Sequence, residues 1–400
     1  MKIAFISYEY PPDTADGGIA TYVEQAARIL SVRGHEVTVF AGTREGRSYE
    51  FRDNFCVRVI RQPVLDRSSF ADAILPVFAS IHQRNQFDVV EGPDYLADAH
   101  RVKEEFPTLP LVVKLHTCSQ LVRRFSGNSV TPWAWLRGWC GAIRHRCKPW
   151  WTETLIEELE RNHGNQAEII AAPSFAVGDW TRRLWQIDTD PVVFPHPFDP
   201  NPQLLAISAR TETKLVTFLG RVEPLKGVLE LATAIPKIVR VHPKAQFRFV
   251  GSVSEEMKFE LSRLSGQYAH KIEFTGKVPL ESIPTFLAET DVAVFPSRWE
   301  SFGFACLEAM AAARGVVASA AGGMSEIIEN GKTGILIQPR DPRAIAQAVC
   351  FFLTNPELRI QMGMEARKTV LERYASTVTA PQQEAAYLLA IQRSSARRTF

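Results

Sequence analysis

No apolar run in this 400-residue sequence reaches the roughly 20 residues that a membrane-spanning helix needs. The opening K-I-A-F-I-S is too short for a signal-peptide core and meets Pro11 and Pro12 at once. A cytoplasmic protein is therefore expected. The six cysteines (56, 118, 140, 147, 306 and 350) contain no C-x-x-C pair and have no ligand-spaced histidine. That argues against a disulfide framework and a structural zinc site. Neither sign of charge dominates: 46 Lys and Arg face 44 Asp and Glu, so nothing at whole-chain level demands a nucleic-acid partner. No G-K-[ST] makes a P-loop, and no G-x-G-x-x-G follows a strand, which disfavours a nicotinamide oxidoreductase. Internal repeats and long low-complexity tracts are absent as well.

What is present is long enough for two domains, each with its own core. The most informative stretch is 291–308, D-V-A-V-F-P-S-R-W-E-S-F-G-F-A-C-L-E. Residues 291–295 read as a buried strand, and a strong helix pattern starts at Gly303. Glu300 falls in the loop and Glu308 in the helix, eight residues apart. A loop feeding a helix start leaves backbone N–H groups free, here those of Phe302, Gly303 and Phe304, and these suit a phosphate or a sugar oxygen. Gly303 lets a ligand approach the backbone. Glu308 stands among Ala, Cys, Leu and Met, where a carboxylate needs partners. Ligand hydroxyls or a core arginine would both serve. Glu300 is either a ligand contact or a solvated loop residue.

The rest of the chain alternates strand and helix. In the first half, strands are expected at 2–7, 35–41, 57–60, 88–91, 111–116 and 169–172. Helices are expected at 19–33, 70–84, from 95 onward, and at 179–186. This rhythm implies a parallel sheet with helices on both faces. His116 ends a strand, the position where open parallel sheets bind ligands, and Glu91, Gly92 and Asp94 follow another strand end. Gly17 and Gly18 stand at a helix start, as an anion site or a tight turn. Segment 119–151 holds no Asp or Glu but has Arg123, Arg124, Arg137, Arg144, Arg146 and Lys148, with five of the chain's eight tryptophans. Such interleaving suits an anionic membrane surface, a lipid-diphosphate acceptor or sugar rings; the alternative is a partly buried helical subdomain. P-V-V-F-P-H-P-F-D-P-N-P is a linker.

In the second half, strands are expected at 214–219, 245–250, 271–275, 291–295, 316–319 and 335–337. Arg221 and Lys226, in G-R-V-E-P-L-K-G, follow the first of these. They either neutralise a diphosphate or are surface cations. Val278 follows the G-K-V-P turn. Gly322, Gly323 and Glu326 lie at a later strand-to-helix turn. Helices near 342–353, 356–372 and 381–392 close the chain. The expected domains are 1–195, completed by 376–400, and 196–375.

Together the two α/β halves, the proline-rich linker and the motifs resemble the retaining glycosyltransferases of family 4, with the GT-B fold of two doubly wound, Rossmann-like parallel-sheet domains facing a central cleft. S-R-W-E-S-F-G-F-A-C-L-E resembles the family's E-x7-E signature, with Glu300 and Glu308 as its acids. G-R-V-E-P-L-K-G resembles its Arg–Lys pair, A-G-G-M-S-E-I-I-E-N-G-K-T-G a further block, and Gly17–Gly18 its glycine loop. The linker departs from the family's frequent N-G-V-D.

The resemblance implies a nucleotide-diphosphate sugar between the domains, with UDP-glucose the expected donor. Arg221 and Lys226 would hold its diphosphate, Glu308 the ribose hydroxyls and Val278 the base. Glu300 and the backbone at Phe302, Gly303 and Phe304 would hold the sugar, with Gly17 and Gly18 nearby. His116 would contact the donor sugar from the first domain, and the last helix would cross back there near Tyr374. His116, Glu300, Arg221 and Lys226 are the implied catalytic group, acting on a glycan or lipid-linked acceptor in polysaccharide synthesis. The reaction would need no cofactor and no metal. The other functions compatible with these features are a GT-B nucleotide-sugar epimerase and a non-catalytic carbohydrate-binding protein.

Overall fold

The computed structural model describes residues 1–14, 17–64, 66–126 and 154–397. The chain divides into two compact units: Met1–Phe194 together with the residues from Ala380 onward, and Pro195–Thr379.

The first unit is built on an eight-stranded sheet of order β3-β4-β2-β1-β5-β6-β7-β8. In chain order these strands are Lys2–Ile6, Glu36–Thr43, Tyr49–Arg52, Arg58–Pro63, Val89–Pro93, Leu111–Lys114, Ile169–Ala172 and Val192–Val193. The order reverses beside β1. Right-handed crossovers then send helices to opposite faces on either side of it. The expected all-parallel sheet needs one correction, because β3 pairs antiparallel with β4. Y-E-F-R alternates half-buried and exposed positions, so no apolar run marked it as a strand. β8 occupies two residues inside the proline-rich segment and pairs only with β7, an edge position that prolines tolerate. Helix Leu155–Gln166 was not expected either. It begins with a capping box in which Thr154 and Glu157 satisfy each other's backbone N–H groups. Of segment 119–151, only helix Ser119–Ser126 lies within the described residues.

The first unit also takes in most of the last helix, Ser376–Arg397. Its fastening is polar. Glu91, buried in the middle of β5 rather than past its end, accepts from Tyr22 Oη and from Tyr387 Oη at 2.7 Å each. Gln383 Nε2 reaches Tyr387 Oη at 2.7 Å and Tyr22 Oη at 2.9 Å. Lys114, fully buried in the neighbouring strand, donates to the Phe194 carbonyl at 3.0 Å and lies over that ring.

The second unit holds six parallel strands in the order β11-β10-β9-β12-β13-β14. They are β9 Leu215–Leu219, β10 Gln246–Val250, β11 Ile272–Gly276, β12 Val292–Phe295, β13 Gly315–Ser319 and β14 Ile335–Ile337. Neighbouring residues point to opposite faces, as the pleat requires. Val216, Phe218, Val292, Val294 and Val317 join one core cluster, with Ile235, Val349 and Phe352. Leu219, Ala293, Phe295, Val316 and Ala318 join the other, with Leu307, Met310 and Val370. A sheet buried on both faces explains the continuous apolar strands.

At the amino end of β12, the Asp291 carboxylate is 0% exposed and pairs with Arg359 Nη1 at 2.6 Å. It also accepts from Lys214 N at 2.6 Å and from Thr211 Oγ1. Removing the carboxylate strands a buried guanidinium. Asp291→Ala is expected to lower the unfolding free energy of this unit by about 3–5 kcal/mol, read from urea unfolding; a change below about 1 kcal/mol would contradict this account.

Candidate functional site

Three loops at the carboxyl ends of β9, β12 and β13 interlock in the second unit. Gly227 has φ +71°, and a Cβ there would stand 1.8 Å from the Pro296 carbonyl oxygen. Gly322, at φ +61°, faces the Glu300 carbonyl oxygen in the same way, at 2.1 Å from an added Cβ. Only glycine allows these approaches. Hydrogen bonds run alongside them: Arg298 N donates to Leu225 O and Gly323 N to Glu300 O, both at 2.8 Å.

This lock brings Lys226 and Glu300 together, Nζ to Oε2 at 2.7 Å, with each side chain 19% exposed. Arg221 is not drawn into that pair. It is exposed and meets Glu223 of its own loop at 3.2 Å. The N–H groups of Phe302, Gly303 and Phe304 donate to no acceptor among the described residues. Helix Phe304–Ala311 starts there, with Gly303 at φ +103° as its N-cap. The rings of Phe302 and Phe304 turn the other way, into an aromatic cluster with His196 and, for Phe302, Tyr374. The sequence thus predicts the backbone's availability, while the side chains do packing work.

Glu308 is half-buried, and its carboxyl forms no hydrogen bond or ion pair among the described residues. The core-arginine alternative does not hold: Arg314 and Arg367 bind backbone carbonyls, and Arg359 pairs with Asp291. Removal from water pushes the Glu308 pKa up to about 7. Val278 is half-buried against the same core cluster.

Sequence reasoning missed Arg298 and Glu230. Their side chains are 8% and 9% exposed and meet at 2.8 Å, pinning the β12 loop to the helix that follows Lys226. An arginine inside S-R-W-E was the available signal, but its partner lies 68 residues away.

In the first unit, His116 sits two residues past β6. Its backbone N–H donates to Asp94 Oδ1 at 2.9 Å, and its ring meets Tyr22 edge-on. Burial, and then the Lys114 charge, pushes its pKa down to about 3, so the ring is neutral. Asp94 is pushed up to about 8 by burial and by Glu160. Gly17 is extended at φ −165° and Gly18 opens helix Gly18–Val32, so neither is a strained turn. A Cβ at Gly18 would meet nothing within 4 Å. An Asp-x-Asp triplet occurs at 188–190. Asp190 there is 88% exposed and meets Arg182 at 3.4 Å. Among the described residues no group of three His, Cys, Asp or Glu side chains is disposed to hold a metal, and no helix is long and apolar enough to cross a membrane.

The sequence matches two family descriptions, "Glycosyltransferase Family 4" over residues 16–201 and "Glycosyl transferases group 1" over 204–369. The chain belongs to glycosyltransferase family 4. An uncharacterised glycosyltransferase of Methanocaldococcus jannaschii is 27% identical, covering 98% of this chain and 99% of that one. Sucrose-phosphate synthase from Thermosynechococcus elongatus superposes with TM-score 0.77 at 19% identity, over 97% of this chain and 98% of the other. HepE of Anabaena, solved with UDP-glucose, superposes with TM-score 0.65 at 18% identity, over 96% and 99%. The fold of this family 4 glycosyltransferase is GT-B, as its sequence predicted.

The unpaired Glu308 carboxyl titrates close to neutrality. It is neutral below about pH 7 and ionised above. Hydroxyls donate better to the ionised form, so if Glu308 takes ligand hydroxyls, nucleotide-sugar affinity is expected to rise as pH increases from about 6 to about 8. Glu308→Gln is expected to flatten this dependence, measured as donor KM against pH. An unchanged slope in the variant would assign the titration to another group.

Proposed function

We propose that this glycosyltransferase is a retaining, metal-independent hexosyltransferase that uses a UDP-sugar, UDP-glucose first, and passes the hexose to a glycan or lipid-linked saccharide. The observation that carries this reading is the second unit's set of loops. They align Lys226, three free backbone N–H groups and an unpaired carboxyl at the ends of adjacent strands. The difficult event is cleavage of the bond between the anomeric carbon and the diphosphate. Lys226, Arg221 and the N–H groups of Phe302, Gly303 and Phe304 supply positive charge where the leaving group develops negative charge. That stabilisation is the work a divalent ion would otherwise do. Lys226 leaves Glu300 for the diphosphate, and Glu300 turns to the sugar hydroxyls. Glu308 receives the ribose hydroxyls.

Retention follows from same-face attack in this reading, with the departing phosphate taking the acceptor's proton. Neutral His116, at the carboxyl edge of the first unit's sheet, is able to donate a hydrogen bond to a sugar hydroxyl. The HepE complex with UDP-glucose supports the choice of donor. The acid-free, tryptophan-rich sequence of 119–151 supports an acceptor carried on an anionic lipid and a peripheral position at the inner membrane face.

The test is nucleotide release from UDP-, GDP- and ADP-glucose in EDTA, with sugar analysis to separate transfer or hydrolysis from epimerisation. Release from UDP-glucose is expected, falling about 100-fold or more in Lys226→Ala and Glu308→Ala. Dependence on an added divalent ion, or near-normal turnover in both variants, would overturn the assignment.

A further inference from the structure

An aromatic cluster in the second unit ties the proline-rich linker to the loop that opens helix Phe304–Ala311. His196 stands between Pro195 and Pro197, in the stretch where the sequence departs from the family's N-G-V-D. Pro195 fixes its own φ, and Pro197 keeps the residue before it out of the helical region. The main chain that carries the imidazole has little freedom left to lose when the ring is seated. That ring is buried. It meets Phe302 edge-on, with centroids 4.8 Å apart and planes at 67°, and stacks nearly parallel to Phe304, at 5.6 Å and 11°. Phe302 and Phe304 meet each other edge-on at 5.2 Å.

The cluster is itself anchored from two sides. Phe302 also meets Tyr374 at 6.0 Å, and Phe304 meets Phe198 at 6.3 Å. Phe198 N donates to Tyr374 O at 3.0 Å and Ser376 N to Asp199 Oδ1 at 2.9 Å, so the linker is clipped to the residues that lead into the last helix. Tyr374 Oη donates to the Glu326 carbonyl at 3.2 Å, in the short helix that follows Gly323. The imidazole is therefore seated in a fixed frame.

What the frame holds is the backbone between the two phenylalanines. Gly303, at φ +103°, is the most permissive residue the chain could place there. Its freedom is limited by the rings on either side of it, and both of those rings rest on His196. The N–H groups of Phe302, Gly303 and Phe304 donate to no acceptor among the described residues. Donors of this kind stabilise developing charge only if their direction is set before the ligand arrives.

We infer that His196 is a positioning residue for the donor site: its imidazole, wedged against Phe302 and Phe304, sets the direction of the three backbone N–H groups that receive the donor's diphosphate and sugar. The ring acts through the backbone and touches no ligand. This rests on the donor reading above. Calorimetric titration compares UDP with uridine, which lacks the diphosphate, for the wild type, His196→Ala and His196→Phe, and urea unfolding of each reports the fold. His196→Ala is expected to weaken UDP about tenfold and to leave uridine within about twofold, while His196→Phe, which keeps a flat ring against both neighbours, brings UDP back to within about threefold of the wild type. If His196→Ala does not fold, His196→Gln, which has no ring, takes its place under the same criteria. Unchanged UDP affinity in the ringless variant would overturn the inference. So would an equal loss for UDP and uridine, which marks a general loosening of the unit, or a phenylalanine variant as weak as the ringless one; the donor reading would survive each of these. A wild type that binds no UDP would instead sink the donor reading, and this inference with it.

Discussion

Steric exclusion at two backbone contacts underlies the geometry of the second unit's site. Gly227 against the Pro296 carbonyl and Gly322 against the Glu300 carbonyl leave no room for even a methyl group. Each contact joins two loops that the strands deliver to the same edge of the sheet. Backbone has no rotamers to sample, so such a contact fixes position more tightly than a pair of long side chains could. The Lys226–Glu300 pair is a consequence of that lock, and the buried Arg298–Glu230 pair reinforces it from beneath. A site for a highly charged leaving group gains most from such fixed donors, since their reorganisation is complete before the ligand arrives.

The second unit presents Lys226 and free backbone N–H groups at one edge of its sheet, which are suited to phosphate oxygens.

The strands of both sheets were legible because parallel strands buried on two faces become unbroken apolar runs. β7 and β14 coincide with the expected 169–172 and 335–337. β3 was illegible for the converse reason: an edge strand with one wet face carries charge at alternate positions. Helix Leu155–Gln166 was overlooked because its composition is polar, although T-E-T-L-I-E contained the capping signal. The spacing of Glu300 and Glu308 was readable, and so was the availability of the backbone after it. The inward turn of the Phe302 and Phe304 rings was not, because it depends on His196 and Tyr374, far away in sequence.

The anchoring of the last helix has a consequence for synthesis. Glu91 receives its hydrogen bond from Tyr387, 296 residues downstream. A carboxylate inside a sheet is costly until it is satisfied. While the ribosome is still making the second unit, the first already has its eight strands but lacks the side chain that completes its interior. Until Tyr387 has been made, Glu91 has only the Tyr22 hydroxyl of its two tyrosine donors, and the second carboxylate oxygen stays with water.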